Sequence, residues 1–252
     1  MNLELLYEFI GTAILLLFGG GVVANVSLKG AKSFGAGWFT ITIGWGFAVF
    51  LAVTVAGPHS GAHINPAVTI GLAAANLFEW AKVPEFIIAQ MAGAFLGAVL
   101  VFIFYKPHFD VTEDKGAKLG VFSTSPAIAN KPFNLISEII GTFALVFIIF
   151  NIAGPTVEAV AAAPGAAALD IKVGLGSIGA LPVAILIMAI GLSLGGTTGC
   201  AINPARDLGP RIAHFVLPIK DKGDSGWGYS WIPVVGPVLG ALLAALLFNA
   251  IN

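Results

Sequence analysis

One tripeptide, Asn-Pro-Ala, occurs twice in the sequence, and each copy follows an apolar segment and opens another short one. Asn before Pro is a helix-start signal, because the Asn side chain caps free amides and Pro at the first helical position removes no paired amide. The sequence therefore predicts two short helices, over 66–77 and 203–214. Short helices in corresponding halves of an apolar chain are typical of broken helices that meet near the bilayer midplane. The two copies are Asn65-Pro66-Ala67 and Asn203-Pro204-Ala205.

The composition identifies an integral membrane protein. Hydrophobic residues make up 58% of the chain, charged residues only 10%, and the mean hydropathy is +0.95. A net charge of -1 provides no basic surface, so nucleic acid is not expected as a partner. The single cysteine excludes an internal disulfide framework. No histidines have metal-ligand spacing and no nucleophile stands beside a base, so we expect no metal, no cofactor and no catalytic residue.

Six segments are long and apolar enough to cross a bilayer, which takes about 20 residues each. A polar stretch over 106–131 is predicted to be a long loop that links two halves. The Ala-, Gly- and Pro-rich stretch over 154–177 is also interpreted as a loop. The predicted spans are 5–25, 37–56, 84–104, 134–153, 179–195 and 231–251.

The two halves repeat each other. Glu-Phe-Ile-Gly-Thr at 8–12 corresponds to Glu-Ile-Ile-Gly-Thr at 138–142, and the Asn-Pro-Ala pair repeats as well. Each half contains three spans, so equivalent points have opposite orientations in the membrane. We expect one channel domain over 1–252. Its parts are repeat one (about 1–105), the linking loop (about 106–131) and repeat two (about 132–252).

With these motifs, the sequence resembles the major intrinsic protein (aquaporin) family over essentially its whole length. Asp207 directly after Arg206 resembles the glycerol-facilitator branch. The resemblance implies an all-α membrane protein, with six tilted transmembrane helices and two re-entrant half-helices in an inverted 3+3 repeat (the aquaporin fold). It also implies a homotetramer of independent pores in the cell membrane, with both termini in the cytoplasm.

The same resemblance implies a selectivity filter and a function. In the family, the filter comprises one residue on span two, one on span five, one before the second Asn-Pro-Ala, and the Arg that follows that motif. The expected function is a passive channel for glycerol, water and similar small neutral solutes that excludes ions and protons. Cys200 stands where glycerol facilitators usually carry a bulky aromatic residue. The matching positions are Trp45, Gly191, Cys200 and Arg206.

Alternatives remain for the solute. Gly191 argues against a mainly water-selective pore, because water-selective relatives usually carry His there and Gly leaves room for a three-carbon solute. Cys200 leaves open a wider pore for protonated lactic acid, urea or dihydroxyacetone.

Three ionisable residues admit two interpretations each. Glu8 and Glu138 lie in apolar segments and are either proton relays of a coupled secondary transporter or acceptors for backbone amides of the re-entrant turns. His63 is either a gate or pH sensor, or a brace for the first turn. The resemblance favours the bracing interpretation for all three, and it assigns Asp207 a supporting role.

Charge and resemblance disagree about orientation. With both termini inside, lysines concentrate in outer loops, whereas the positive-inside rule predicts the reverse. We follow the resemblance, since the charge rule carries less weight in long loops. The outer lysines would be Lys29, Lys32, Lys106, Lys115, Lys118, Lys131, Lys220 and Lys222, and the inner ones Lys82 and Lys172.

Overall fold

The computed structural model describes residues 2–152 and 175–252. The described residues form ten α-helices and two 3-10 turns, at Trp80–Lys82 and Gly176–Ala180. The α-helices, in chain order, are α1 (Leu3–Ser27), α2 (Gly37–Ser60), α3 (Pro66–Ala74), α4 (Val83–Phe104), α5 (Lys106–Val111), α6 (Lys115–Phe122), α7 (Lys131–Phe150), α8 (Leu181–Leu194), α9 (Pro204–Val216) and α10 (Ile232–Ile251).

Six of these helices are long and apolar enough to cross a bilayer, as the sequence predicts. They are α1, α2, α4, α7, α8 and α10, with the two 3-10 turns extending α4 and α8 at their N-terminal ends. The most apolar windows of these spans have mean hydropathies of 2.0 to 2.4. Many of their large apolar side chains remain exposed, Phe104 at 75% and Ile88 at 69% among them. Surfaces of this kind are suited to contact with lipid.

The two short helices are half-helices that begin at the Asn-Pro-Ala motifs. Helix α9 extends to Val216, two residues beyond the predicted end, whereas α3 stops at Ala74, three residues early. The early stop has a local cause. Asn76 has a φ of 59°, and the amides of Asn76 and Leu77 donate to the carbonyls of Ala73 and Leu72. This is a Schellman cap with Asn in the left-handed position, which ends the helix.

The linking segment over 106–131 is not the continuous loop that the sequence predicts, because it contains α5 and α6. Asp114 caps α6, its side chain accepting a hydrogen bond from the amide of Ala117 at 3.0 Å. Phe109 and Phe122 are buried in a core cluster with residues of α1 and α4. Burial of these rings stabilises helices too short to persist alone. The predicted loop over 154–177 falls mostly on residues 153–174, outside the described residues.

Each half-helix packs against the third span of the other half. Helix α3 lies against α10, and α9 lies against α4. Both contacts are made through glycine. A Cβ placed on Gly71 would lie 3.4 Å from the Cβ of Ala241, and one on Gly209 would lie 2.8 Å from that of Ala94. The two halves therefore interlock.

Within each half, the first and third spans also pack closely. A Cβ placed on Gly97 of α4 would lie 2.5 Å from the carbonyl oxygen of Ala13 in α1, and 2.7 Å from the Cβ of Leu16. In the second half, a Cβ on Gly240 of α10 would lie 2.8 Å from the amide nitrogen of Phe143. Small residues allow helices to approach closely in membranes, where dispersion contacts and hydrogen bonds hold them together.

We expect Gly97→Ala to lower the free energy of unfolding by about 1–3 kcal/mol, because the added methyl group has no room against α1. Gly21→Ala on α1 is the matched control, since a Cβ there has no neighbour within 4 Å. The measurement is the midpoint of thermal unfolding in detergent micelles. Equal midpoints for the two variants would contradict the close α1–α4 contact.

Candidate functional site

The chain enters each half-helix through a turn with an unusual backbone. In the first turn Gly61, Ala62 and Ile64 have φ values of 81°, 51° and 45°. In the second turn, the corresponding Gly199, Cys200 and Ile202 have values of 80°, 35° and 42°. Positive φ is costly for a β-branched residue, so it persists only where surrounding contacts enforce it. The same backbone conformation in both turns shows that the repeat seen in the sequence is also present in the structure.

A buried glutamate holds each turn. Glu8 accepts hydrogen bonds from the amides of His63 and Ile64, at 2.9 and 2.7 Å. Glu138 accepts the equivalent bonds from the amides of Ala201 and Ile202, at 3.0 and 2.9 Å. Both side chains are fully buried. This is the geometry that the bracing interpretation requires.

Glu8 has two further donors. The hydroxyl of Ser60 and the side-chain amide of Gln90 each donate to it at 2.7 Å. Gln90 also donates to the hydroxyl of Thr69 at 3.0 Å, and that hydroxyl lies 3.1 Å from Nδ1 of His63. The ring of His63 packs against Phe78 and Phe86. His63 is thus held on its backbone and side chain alike.

The asparagine of each Asn-Pro-Ala motif bonds to the turn of the other half across the centre. The Oδ1 of Asn65 accepts from the amide of Ala67, and the Oδ1 of Asn203 accepts from the amides of Ala205 and Arg206. These are helix caps. Each Nδ2 donates to the opposite half, from Asn65 to the carbonyl of Ile202 at 2.8 Å and from Asn203 to the carbonyl of Ile64 at 2.9 Å.

A cavity of about 280 Å³ runs between the two turns. It is lined by α2 and α8, by residues of α7, and by both turns with their asparagines. A side-chain amide has two N–H donors, and the bond across the centre uses one. The second N–H of Asn65 and of Asn203 is available to a molecule in the cavity.

The structure places all four residues of the expected filter on this cavity. The guanidinium carbon of Arg206 lies 4.3 Å from the ring centroid of Trp45, and Nη1 of Arg206 donates to the carbonyl of Phe122 at 3.3 Å. Cys200 is the only cysteine of the chain and is partly exposed.

Gly191 differs in one respect from the expectation. A Cβ placed on it would lie 2.5 Å from Cγ2 of Thr42, so Thr42 occupies the space that the missing side chain leaves.

Asp207 joins α9 to two connecting segments. Its carboxylate accepts hydrogen bonds from the amide and hydroxyl of Thr124, at 2.7 and 2.6 Å. It also forms an ion pair with Arg211 at 2.7 Å, in which both side chains are fully buried. Arg211 donates further to the carbonyls of Ser225, Gly226 and Thr124. The pair thus ties two connecting segments to the half-helix that carries Arg206.

The end of α9 is held as well. Lys222 donates to the carbonyls of His214, Phe215 and Leu217 at the C-terminus of the helix, where carbonyls lack partners within the helix. Burial, together with the positive charges of Lys222 and Arg211, lowers the pKa of His214 to about 4. His214 is therefore neutral at physiological pH, with Nδ1 bonded to the hydroxyl of Ser225 at 2.9 Å.

Three residues of the site were not among the expected ones. Trp38 and Thr42 line the cavity beside Trp45, and Gln90 bonds to Glu8. Trp38 and Thr42 could have been found from their spacing of seven and three residues from Trp45, which places all three side chains on one face of α2. No local signal marks Gln90, since its partners lie 82 and 21 residues away in sequence. Within the described ranges, no group of His, Cys, Asp and Glu could hold a metal ion.

Six spans, two half-helices and a cavity between their N-termini define a membrane channel protein. Residues 2–248 match the family model of the major intrinsic proteins, and the chain belongs to that family. It is 53% identical over 246 residues to a glycerol uptake facilitator protein of Streptococcus pneumoniae, covering 98% of each chain. It is 51% identical to glycerol uptake facilitator protein 3 of Lactiplantibacillus plantarum, covering 100% of this chain and 98% of the relative.

A solved structure is also similar. The X-ray structure of the aquaglyceroporin from Plasmodium falciparum superposes with a TM-score of 0.80 at 30% identity, over 98% of this chain and 94% of that one. The family resemblance and the aquaporin fold expected from the sequence are thereby confirmed.

We expect Asp207→Ala to lower the free energy of unfolding by about 3–5 kcal/mol, because it leaves the buried guanidinium of Arg211 without its counter-charge. Asp110→Ala is the matched control. Asp110 also pairs with a cation four residues away, Lys106, but the two side chains are 35% and 42% exposed, so about 0–1 kcal/mol is expected. Thermal unfolding in detergent micelles measures both. Similar losses in the two variants would show that the buried pair does not stabilise the fold more than an exposed pair does.

Proposed function

We propose that the protein is a passive channel for glycerol, water and similar small neutral solutes. The observation that carries this is the single cavity that both asparagines, Trp45 and Arg206 line together. Relatives named glycerol uptake facilitators, at about half identity over nearly the whole chain, support glycerol as a solute. The family's members are channels, and no catalytic role is proposed for any residue.

The half-helices supply the barrier to ions. The N-termini of α3 and α9 lie at Asn65 and Asn203, each of which bonds to the turn of the other half, and each N-terminus carries the positive end of a helix dipole. Arg206 adds a full positive charge on the same cavity. A cation that enters therefore loses its hydration shell and meets a positive potential that repels it. A neutral solute meets only hydrogen-bond donors.

The proposed filter comprises Trp45, Gly191, Cys200 and Arg206. The Trp45 ring is an apolar wall for the carbon backbone of a polyol, and the guanidinium of Arg206 offers a planar set of donors for its hydroxyls. Further along, the free N–H of each asparagine can donate to the same oxygens. A solute with one apolar edge and several hydroxyls fits this arrangement.

The proton-coupled alternative is not supported by the geometry. Both oxygens of Glu8 and both of Glu138 already accept hydrogen bonds, mostly from backbone amides that have no other partner described. A carboxylate that exchanged protons in each cycle would release these amides in a nonpolar environment, at a cost of several kcal/mol for each unsatisfied group. We therefore assign both glutamates, with His63 and Asp207, to supporting the pore walls.

The proposal extends to assembly and location. Each chain contains a whole pore in a single domain, with repeat one over about 1–105 and repeat two over about 132–252. We place it in the cell membrane as a homotetramer with both termini in the cytoplasm, on the family resemblance. The exposed apolar residues of the spans supply the surface for neighbouring subunits and lipid.

Stopped-flow light scattering on proteoliposomes tests the function. After a hyperosmotic glycerol challenge, vesicles that contain the protein should shrink and then swell back much faster than empty vesicles, because both water and glycerol cross. An impermeant sugar is the control and should give shrinkage only. Fast shrinkage without re-swelling would make the protein a water channel, and glycerol entry that depends on an imposed pH gradient would indicate a coupled transporter.

A mercurial should block the pore, because Cys200 lines the cavity and is the only thiol available. We expect loss of most of the glycerol flux after treatment and recovery after addition of excess thiol. Cys200→Ser is the matched control and should conduct in the presence of the mercurial. Full flux through protein whose Cys200 is shown by mass spectrometry to be labelled would remove Cys200 from the constriction.

A further inference from the structure

Trp38 lies on the cavity but is not one of the four residues of the proposed filter. It is the second residue of α2, seven positions before Trp45, and the two rings therefore lie on the same face of the helix, two turns apart. Both line the cavity. The residue is 41% exposed.

The indole of Trp38 is fixed in place. Its Nε1 donates a hydrogen bond to the carbonyl oxygen of Gly191 at 2.9 Å. Gly191 lies in the last turn of α8, where a carbonyl has no partner within the helix. The bond satisfies this carbonyl and joins α2 to α8 directly beside the filter. Because its polar atom is anchored, the ring has one defined position on the cavity wall.

The ring lies beside Cys200. A Cβ placed on Gly195 would lie 2.7 Å from Cζ2 of Trp38 and 3.1 Å from the sulfur of Cys200. The ring edge and the thiol are thus close neighbours across Gly195. The thiol is much smaller than an aromatic ring, and the indole lies next to it on the cavity wall.

We propose that Trp38 is a specificity-determining residue of the channel, whose indole supplies beside Cys200 the aromatic wall that the thiol does not. The inference deepens the proposed function and rests on it. Three-carbon polyols fit between the two tryptophans and Arg206, whereas polyols with longer chains are held back by the Trp38 ring.

The first experiment compares the permeabilities of ribitol and glycerol in proteoliposomes for the wild type, Trp38→Ala and Trp38→Phe. We expect Trp38→Ala to raise the ribitol-to-glycerol ratio by about tenfold, the low end of what one change in an apolar pocket produces. Trp38→Phe keeps a ring without the bond to Gly191 and should give an intermediate ratio. Phe39→Ala, at the next position but 65% exposed and off the cavity, should leave the ratio unchanged.

The second experiment tests whether Trp38 and residue 200 share one space. Cys200→Phe alone should greatly reduce glycerol flux, because its ring competes with the indole. In the Trp38→Ala background the same substitution should restore glycerol flux and a low ribitol ratio. A merely structural Trp38 would give additive losses instead, and glycerol flux equal in both Cys200→Phe backgrounds would overturn the proposal.

The outcomes separate this inference from the proposed function. An unchanged ratio in a folded Trp38→Ala, or in Trp38→Phe if the alanine variant does not fold, would refute the role of Trp38 alone. A wild type that passes water but not glycerol would refute the proposed solute. In that case the test of Trp38 is whether the Trp38→Ala variant admits glycerol. A variant that still excludes glycerol would refute the specificity role of Trp38 as well.

Discussion

The amides of the two re-entrant turns lie at bilayer depth, where water cannot satisfy them, and the structure depends on the two carboxylates that do so. Glu8 and Glu138 each accept two backbone amides from the turn of their own half. These bonds hold non-glycine residues at positive φ, and that backbone in turn aims the asparagines at each other. An ionisable residue in a membrane span is by default a candidate for transport chemistry. Here the same property, two strong acceptor oxygens, serves a structural purpose.

The proposed channel combines two physical effects. In the proposal, the two asparagines and the two helix N-termini set an electrostatic barrier that does not distinguish between neutral solutes. In the proposed filter, the ring of Trp45 and the guanidinium of Arg206, whose carbon lies 4.3 Å from the ring centroid, distinguish solutes by shape and by hydroxyl count. The buried Asp207–Arg211 pair anchors the half-helix that carries Arg206 to two connecting segments.

The contacts at Gly191 show why a filter is hard to read from aligned positions. By sequence, the absence of a side chain there means open space in the pore. In the structure Thr42 fills that space, and the carbonyl of Gly191 binds Trp38. Similarly, the sequence indicates that an aromatic wall is missing at Cys200, yet in the structure the indole of Trp38 lies beside the thiol. The effective walls of the pore thus include residues that the four-position pattern omits.

The sequence by itself determined the class of protein, the six spans, the start of both half-helices and their inverted pairing. These follow from hydropathy and from Asn-Pro, which act over a few neighbouring residues. Only the tertiary structure decided the short helices α5 and α6, the docking of each half-helix on the opposite third span, and the neighbours of Gly191 and Cys200. These depend on contacts between residues distant in sequence, 153 positions apart for Trp38 and Gly191. Such contacts leave no local pattern, because packing selects them only after the helices have assembled.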